Sequence, residues 1–466
     1  MKHLARIAGL LAALLLAVTA RADKIVLKNG RQIVAYNVVE EGDKVSYETS
    51  AGQLSIPKSI VDHVEKGSMP AMELPPMAPP SKTTEIDHDA VRDGAIDREY
   101  IARIEGEARG GGAKAKERAA LAHHAAAQYE LSKGDLENAL SDERAALNYK
   151  PEDPAMLINM AYLHLRRSEF KQALDYLDRA KRFAPNNADV YKLAGWAYYR
   201  VNRLELAVAD WKRSLELRPD ADVRVAMEKA LRDEEEEESY RENESAHFQL
   251  KYNGTAEPAL ARQVLHTLEG HYSQIEAELS YTPPDPIGVV LYTQQGFADI
   301  TQAPNWVGAL NDGRIRVPVQ GLTGVTPELS RVLRHELTHS FVDQKTHGQA
   351  PTWLQEGIAQ WMEGKRSDET AAALVKIFDQ GQAKSLGELE GPWLNLSSDV
   401  VHYSYAWALA NIEYIVQTQG MADVEEILDR IARGSTTEQA LQDVLHDDYG
   451  DLMLSTSGYL RKKYVQ

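Results

Sequence analysis

The spacing of apolar residues changes along the chain, and each change predicts a different kind of element. Residues 23–66 alternate between apolar and polar positions, and Asn29-Gly30, Glu41-Gly42-Asp43 and Ala51-Gly52 interrupt the alternation with turn residues. About four or five short strands in so few residues predict a small SH3-like β-barrel module. The module carries no catalytic pattern, so we expect it to serve in docking or as a spacer.

The next two segments lack this alternation. Residues 67–85 hold five prolines, at positions 70, 75, 76, 79 and 80, and predict an extended linker. Charged, helix-favouring sequence over residues 86–118 predicts a helical connector, which three consecutive glycines at 110–112 interrupt.

A repeat begins at residue 119. Pro151, Pro185 and Pro219 are 34 residues apart, and other columns of small residues keep that step: Ala127, Ala161 and Gly195; Ala139, Ala173 and Ala207; Ala146, Ala180 and Ser214. Residues 119–235 therefore resemble tetratricopeptide repeats, which implies an all-α solenoid of paired helices with a concave face that binds a peptide or protein partner. Tyr191, Trp196 and Tyr198 either contribute to that face or belong to the core. The acidic run 234–238 predicts a solvated helix end.

Strands come first and helices follow in residues 245–466. Residues 247–252 alternate, residues 286–292 form a continuous apolar run, and 313–319 (GRIRVPV) predict a further strand. Pro258 to Leu279 predicts an amphipathic helix, and the remainder is mostly helical in pattern. This order predicts an α+β domain.

One helix of this domain carries the sequence HELTH. Thr326 as N-cap and Pro327 as first helical residue predict where the helix begins. His335 and His339 are one turn apart on the same helix face, so both imidazoles can reach one zinc ion, and Glu336 beside them can hold a water. An exposed histidine pair on an ordinary helix is the alternative.

A catalytic zinc needs a third protein ligand, and Glu356 is the candidate. It lies early in a second helix predicted for residues 350–364, and the polar stretch 343–349 lets that helix fold back onto the first. Apolar neighbours predict that the helix is buried, and a buried glutamate needs a partner such as a metal. A surface glutamate is the alternative.

These two motifs resemble those of the gluzincin zinc metallopeptidases. HELTH is followed seventeen residues after His339 by the glutamate of WLQEGIAQ, and the closest resemblance is to peptidase MA-like, zincin-like bacterial domains. It implies that His335, His339 and Glu356 bind Zn²⁺ and that Glu336 is the catalytic base. The strand GRIRVPV would border the cleft, where an extended peptide substrate adds as a further strand.

Peptide hydrolysis places negative charge on the oxygen of the scissile carbonyl, and a hydrogen-bond donor stabilises this oxyanion. Residues 400–416 contain the candidate donors. Tyr403 or Tyr405 can reach across to the oxyanion as gluzincin tyrosines do, and the family pattern favours Tyr403. His402 can serve as the donor instead. The alternative is that both tyrosines belong to the hydrophobic core. Some gluzincins orient a ligand histidine with an acidic residue where this chain has Gln360, so we expect Asp343 to take that place.

Composition narrows the function further. The 466 residues carry a net charge of -18, which argues against nucleic acid as a partner, and they include no cysteine. Residues 1–22 have a basic start, an apolar run and a small-x-small end at Ala20 to Ala22, which predicts a signal peptide and a periplasmic or extracellular protein. No other stretch approaches the about 20 apolar residues of a membrane span.

The sequence therefore predicts an exported zinc metallopeptidase whose repeats recruit a substrate or a protein partner. One alternative is an envelope scaffold in which the repeats do the work and the zinc domain is inactive. Another is a zinc hydrolase that acts on an amide outside proteins.

Overall fold

The computed structural model describes residues 23–28, 32–41, 44–49, 52–65, 77–81, 86–253, 258–293, 296–297, 309–319, 321–393 and 398–465. The predicted signal peptide, the turn residues Asn29, Gly30, Gly42, Asp43 and Ala51, and most of the linker lie outside these ranges. The chain divides between Met69 and Pro70 into two compact units. Among the described helices, none combines the length and the apolar character needed to cross a membrane.

The N-terminal unit contains an antiparallel sheet with strand order β4-β3-β2-β1-β5. Its strands are β1 (Asp23–Leu27), β2 (Gln32–Glu41), β3 (Lys44–Thr49), β4 (Gly52–Pro57) and β5 (Val61–Glu65), with a 3₁₀ turn at Lys58–Ile60. Ile25, Val45 and Val61 form its small buried core. The β character agrees with the sequence, whereas closure into an SH3-like barrel stays a prediction.

The second unit begins with helices in antiparallel pairs. A small ribbon, β6 (Val91–Arg92) with β7 (Ala95–Ile96), precedes α1 (Arg98–Arg109), α2 (Ala113–Ser132), α3 (Leu136–Tyr149), α4 (Pro154–Arg166), α5 (Phe170–Phe183), α6 (Ala188–Arg200), α7 (Leu204–Leu217) and α8 (Ala221–Glu237). Helices α3, α5 and α7 begin 34 residues apart, at Leu136, Phe170 and Leu204. A Cβ on Gly195 would lie 2.4 Å from the indole of Trp211, so the small-residue column marks a close helix contact.

A mixed sheet of order β11-β12-β10-β9-β8 follows. Its strands are β8 (Arg241–Glu244), β9 (Phe248–Tyr252), β10 (Ile287–Tyr292), β11 (Leu310–Asn311) and β12 (Arg314–Pro318); β10 is parallel to both β9 and β12. The strand GRIRVPV was expected to border the cleft, but β11 pairs with its outer side and is the edge strand among the described residues.

Helices cover this sheet and complete the domain. They are α9 (Pro258–Leu279), α10 (Pro327–Lys345), α11 (Thr352–Met362), α12 (Ala371–Asp379), α13 (Ser398–Thr418), α14 (Met421–Ala432), α15 (Thr437–Leu445) and α16 (Tyr449–Tyr464). Their apolar faces join the sheet in one extended hydrophobic core, as predicted for an α+β domain.

A buried ion network joins the repeats to the sheet. Its side chains are no more than 3% exposed and are Lys229, Asp233 and Glu237 of α8 with Asp312, Arg314 and Arg316 at β12. Arg316 Nη2 lies 2.7 Å from Asp233 Oδ2, and Arg314 Nη2 lies 2.6 Å from Glu237 Oε1. The acidic run at the end of α8 was expected to be solvated, but Glu237 is buried because the arginines of β12 point toward α8. That expectation is wrong for this residue.

A second contact between the two parts is a helix cap. The carboxylate of Asp285, in the loop before β10, accepts hydrogen bonds from the backbone N–H groups of Phe170 and Lys171 at 2.8 and 3.2 Å. These are free donors of the first turn of α5, which carries no cap of its own. A loop of the sheet domain therefore caps a helix of the repeats.

Candidate metal centre

Helix α10 places two imidazoles side by side. Thr326 Oγ1 accepts from the backbone N–H of Leu329 at 3.1 Å, so the helix begins where the sequence predicts. The Nε2 atoms of His335 and His339 are 3.1 Å apart, and both rings are partly buried. One turn of helix thus turns both donor nitrogens to the same point.

Helix α11 brings a carboxylate to that point. His347 and Gly348, both with positive φ, reverse the chain between the two helices. Glu356 Oε2 then lies 3.5 Å from His335 Nε2 and 3.6 Å from His339 Nε2. This oxygen is buried and accepts no hydrogen bond from any residue that the structure describes. The fold-back expected from the sequence therefore brings the three side chains together.

The three donor atoms fit a zinc ion. Two zinc bonds of about 2.0–2.1 Å at a tetrahedral angle separate their donors by about 3.3 Å. The donor atoms of His335, His339 and Glu356 form a triangle with edges of 3.1, 3.5 and 3.6 Å. Two imidazoles and one carboxylate are also a donor set of catalytic zinc sites, which keep a fourth position open.

Carboxylates around the triangle add negative charge. Burial opposes protonation of His335, yet Glu356 and Glu363 raise its pKa to about 10. Burial raises the pKa of Glu336 to about 7; His335 acts against this rise, and Glu356 adds to it. A cation bound at the triangle would stabilise these buried carboxylates.

Glu363 is a site residue that the sequence reasoning missed. Its Oε1 lies 3.4 Å from Nδ1 of His335, the ring nitrogen that faces away from the triangle. At this distance the pair makes no hydrogen bond among the described residues, and Glu363 raises the pKa of His335 from the side opposite the triangle. Asp343, expected to orient a ligand histidine, instead has its Oδ2 3.5 Å from Nη2 of Arg200. Glu363 is two helix turns after Glu356, and this spacing could have revealed it.

Strand β11 supports the centre from the other side. The side-chain amide of Asn311 donates to the backbone carbonyl of Glu336 at 2.8 Å and to Oγ of Ser340 at 2.7 Å. The edge strand is therefore fastened to the helix turn that carries Glu336.

The structure distinguishes the candidate oxyanion donors. Burial raises the pKa of Tyr405, and the carboxylates of Glu356 and Glu336 add to the rise, because its hydroxyl faces the site. Tyr403 stacks on Trp407 and lies beside Lys384 and Glu388; burial raises its pKa to about 12. Of the two tyrosines, Tyr405 therefore interacts with the site carboxylates, and the role of either as oxyanion donor stays a prediction.

The remaining alternative, His402, does not occupy the centre. Its side chain is exposed on α13. Gln360 does have a place near the centre, although without the charge of an acidic residue: its side-chain amide donates to the carbonyls of Glu356 and Tyr405 at 3.1 and 3.0 Å. It therefore ties α11 to α13 where both approach the metal ligands.

Gly357 explains why glycine follows the glutamate of the second motif. A Cβ at this position would lie 2.6 Å from the carbonyl oxygen of Ala408 and 2.6 Å from Cγ1 of Ile412, both on α13. Helices α11 and α13 can approach this closely only without a side chain here.

We expect Gly357→Ala to lower the free energy of unfolding by about 1–3 kcal/mol, because the methyl group pushes α11 away from α13. Gly270→Ala is the matched control, since Gly270 lies on α9 with open space around its Cβ position. There the same change should raise stability by about 0.5–1 kcal/mol. Urea unfolding of both variants measures the effect, and equal shifts would contradict the close packing.

Comparison with known proteins identifies two parts of the chain. Residues 274–460 match the Peptidase MA superfamily, and residues 130–197 match the tetratricopeptide repeat. Among solved structures, the TPR domain of Arabidopsis OM64 is similar at 20% identity, over 25% of this chain and 96% of its own, with a TM-score of 0.24. A search of curated proteins gives no match. The predicted arrangement is confirmed: this chain carries tetratricopeptide repeats followed by a Peptidase MA superfamily domain.

Proposed function

We propose that this chain is an exported zinc-dependent metallopeptidase of the gluzincin type. The observation that carries the proposal is the donor triangle of His335, His339 and Glu356, whose buried carboxylate oxygen accepts no hydrogen bond from the described residues. Glu336 stands next to the triangle, as a catalytic base must.

The chain's own groups divide the work of hydrolysis. Zinc, when bound, supplies a Lewis acid that polarises the scissile carbonyl and lowers the pKa of water. Glu336 takes a proton from the attacking water and delivers it to the leaving amine; its pKa of about 7 suits both directions of transfer. The hydroxyl of Tyr405 donates a hydrogen bond to the oxyanion as charge develops there. His335 and His339 would bind the metal as neutral imidazoles, so His335 would release its proton as zinc binds.

The substrate is an extended peptide that lies along β11. This strand is the sheet edge next to the helix with Glu336, and Asn311 holds it there. Backbone groups of an edge strand pair with an added peptide strand, so the peptide would run past the triangle.

Metal analysis and casein hydrolysis test the proposal together. Purified wild-type protein should contain about one zinc per chain and should cleave unfolded casein, with activity lost on chelation and restored by zinc. Protein without zinc affinity would refute the proposal. Zinc binding with no cleavage across a peptide panel would favour the scaffold or a hydrolase for another amide.

Glu356→Gln tests the third ligand. Mutation of a residue that only supports a metal ligand lowers metal affinity by about 10–100-fold. We expect Glu356→Gln to lower zinc affinity by more than this, because a neutral amide replaces a charged ligand. Glu369→Gln, an exposed change in the loop after α11, is the control and should retain zinc. Dialysis against a chelator of known affinity gives both values. Unchanged affinity in Glu356→Gln would mean that another residue is the ligand.

Export and partner recruitment complete the proposal. Export rests on the sequence of residues 1–22, and N-terminal sequencing of the mature protein tests it, with Asp23 expected as the first residue. Recruitment of a substrate or protein partner rests on the repeats.

A further inference from the structure

The first helices of the second and third repeats are buried on every side. In α4 all ten residues from Met156 to Leu165 are buried, and in α6 nine of the ten from Ala188 to Ala197 are buried, with Tyr191 partly exposed. Their partners α5 and α7 bury only one stripe each. A helix in an open groove leaves one face to solvent, so other groups must cover α4 and α6.

Part of that cover is a segment of the proline-rich linker, Met77 to Ser81. The side chain of Met77 packs where two hydrophobic clusters meet, and both clusters contain residues of α6. One of these residues is Trp196, which is only 6% exposed. The tryptophan therefore belongs to a covered face, whereas Tyr191 and Tyr198 are partly buried against the same core.

The other end of the segment is held by polar contacts. The backbone N–H of Ser81 donates to Oδ2 of Asp189, at the start of α6, at 3.1 Å. Nη1 of Arg218 donates to the Ser81 hydroxyl at 2.9 Å, and the same guanidinium pairs with Asp189. Although burial opposes it, these contacts lower the pKa of Asp189, which stays charged.

The length of the segment fits the helix that it covers. Four steps of extended, proline-rich chain span about 12 Å, and two turns of helix span about 11 Å. Prolines hold this conformation at little entropic cost, which is why such segments serve as peptide ligands. The segment thus has an apolar anchor, a stiff spacer and a hydrogen-bonded serine.

We propose that residues 77–81 are a tethered ligand of the repeats, and that the external partner is an extended proline-containing peptide of the same chemistry which must displace them. The proposal rests on partner recruitment by the repeats and is independent of peptidase activity. A tethered competitor has an effective concentration in the millimolar range, so it lowers the apparent affinity for any free peptide.

Binding of a labelled peptide with the sequence of residues 74–82 (LPPMAPPSK) to the full mature chain tests the proposal. The double variant Met77→Asp, Ser81→Pro releases the tether, because it places a charge in the apolar contact and removes both the Ser81 N–H donor and the hydroxyl that accepts from Arg218. We expect the peptide to bind this variant at least about tenfold more tightly than wild type by fluorescence anisotropy. Lys212→Gln, an exposed change on α7 outside the segment, is the control and should behave as wild type.

A further variant tests Arg218, the residue of the repeats that contacts Ser81. In the released background, Arg218→Gln should weaken peptide binding, because the serine hydroxyl loses its donor. A peptide with aspartate in place of the methionine should not bind. Equal affinity of wild type and released variant, or a folded released variant that fails to bind, would overturn the proposal.

A measurement on unmodified protein covers the case in which the released variant does not fold. Excess unlabelled peptide should displace the tether and speed trypsin cleavage after Lys82, whereas the aspartate peptide should not. An unchanged cleavage rate at millimolar peptide would overturn the tethered-ligand proposal while leaving the zinc and casein results as they stand.

Discussion

Asp233→Ala is expected to lower the free energy of unfolding by about 3–5 kcal/mol, the cost of removing one partner from a buried ion pair. Asp233 is fully buried and accepts hydrogen bonds from Arg316 at 2.7 and 2.9 Å, from Arg314 at 3.3 Å and from the Tyr199 hydroxyl at 3.0 Å. Without Asp233, the buried guanidinium groups of Arg314 and Arg316 lose a carboxylate partner that water cannot replace.

Urea unfolding measures this effect, with Glu235→Ala as the control. Glu235 is on the same helix but exposed, so its removal should change stability by no more than about 0.5 kcal/mol. A loss of less than about 1 kcal/mol in Asp233→Ala would mean that the network is solvated in solution.

The pH dependence of this difference has a definite sign. Burial alone would raise the pKa of Asp233, but Arg316 and Arg314 outweigh burial and hold the pKa below its ordinary value. A carboxylate with a lowered folded-state pKa stabilises the fold above its unfolded pKa of about 3.9, and loses this contribution as pH falls through the folded value. The difference between wild type and Asp233→Ala should therefore be constant near neutrality and shrink below about pH 4.

Glu336→Gln is expected to reduce casein hydrolysis by about 10²–10⁴-fold, the usual worth of a general base. The amide has nearly the same size, so the buried position is preserved, but it cannot accept the proton of water. Zinc content should remain that of wild type, because Glu336 is outside the donor triangle. This combination separates a lost base from a lost metal.

Glu328→Gln is the control for that experiment, since Glu328 lies on the same helix with its side chain 79% exposed. Its activity and zinc content should match those of wild type. Full activity in Glu336→Gln with zinc bound would contradict the assignment of the base.

The sequence was most informative where function depends on local spacing. HELTH is a single helix turn, the fold-back to Glu356 needs only a short polar turn, and the 34-residue step repeats one helix pair. These features depend on helix geometry and can be predicted from one stretch of chain.

What the sequence did not reveal depends on contacts between distant segments. Glu237 looked like part of a solvated acidic run because its partner Arg314 is 77 residues away. The sequence favoured Tyr403 over Tyr405, because helix α13 alone does not fix which face meets α11. The edge position of β11 also escaped notice, since a two-residue strand leaves no periodic pattern.

The junction between α8 and β12 also constrains the order in which the protein can assemble. Asp233 precedes Arg316 by 83 residues, and a chain delivered N-terminus first offers these carboxylates to water long before their partners arrive. Closing a loop of that length costs about 4 kcal/mol of chain entropy, which a single ion pair cannot return. We therefore expect the sheet to form first and to present both arginines at once, so that completion of the junction is a late event in the folding of this unit.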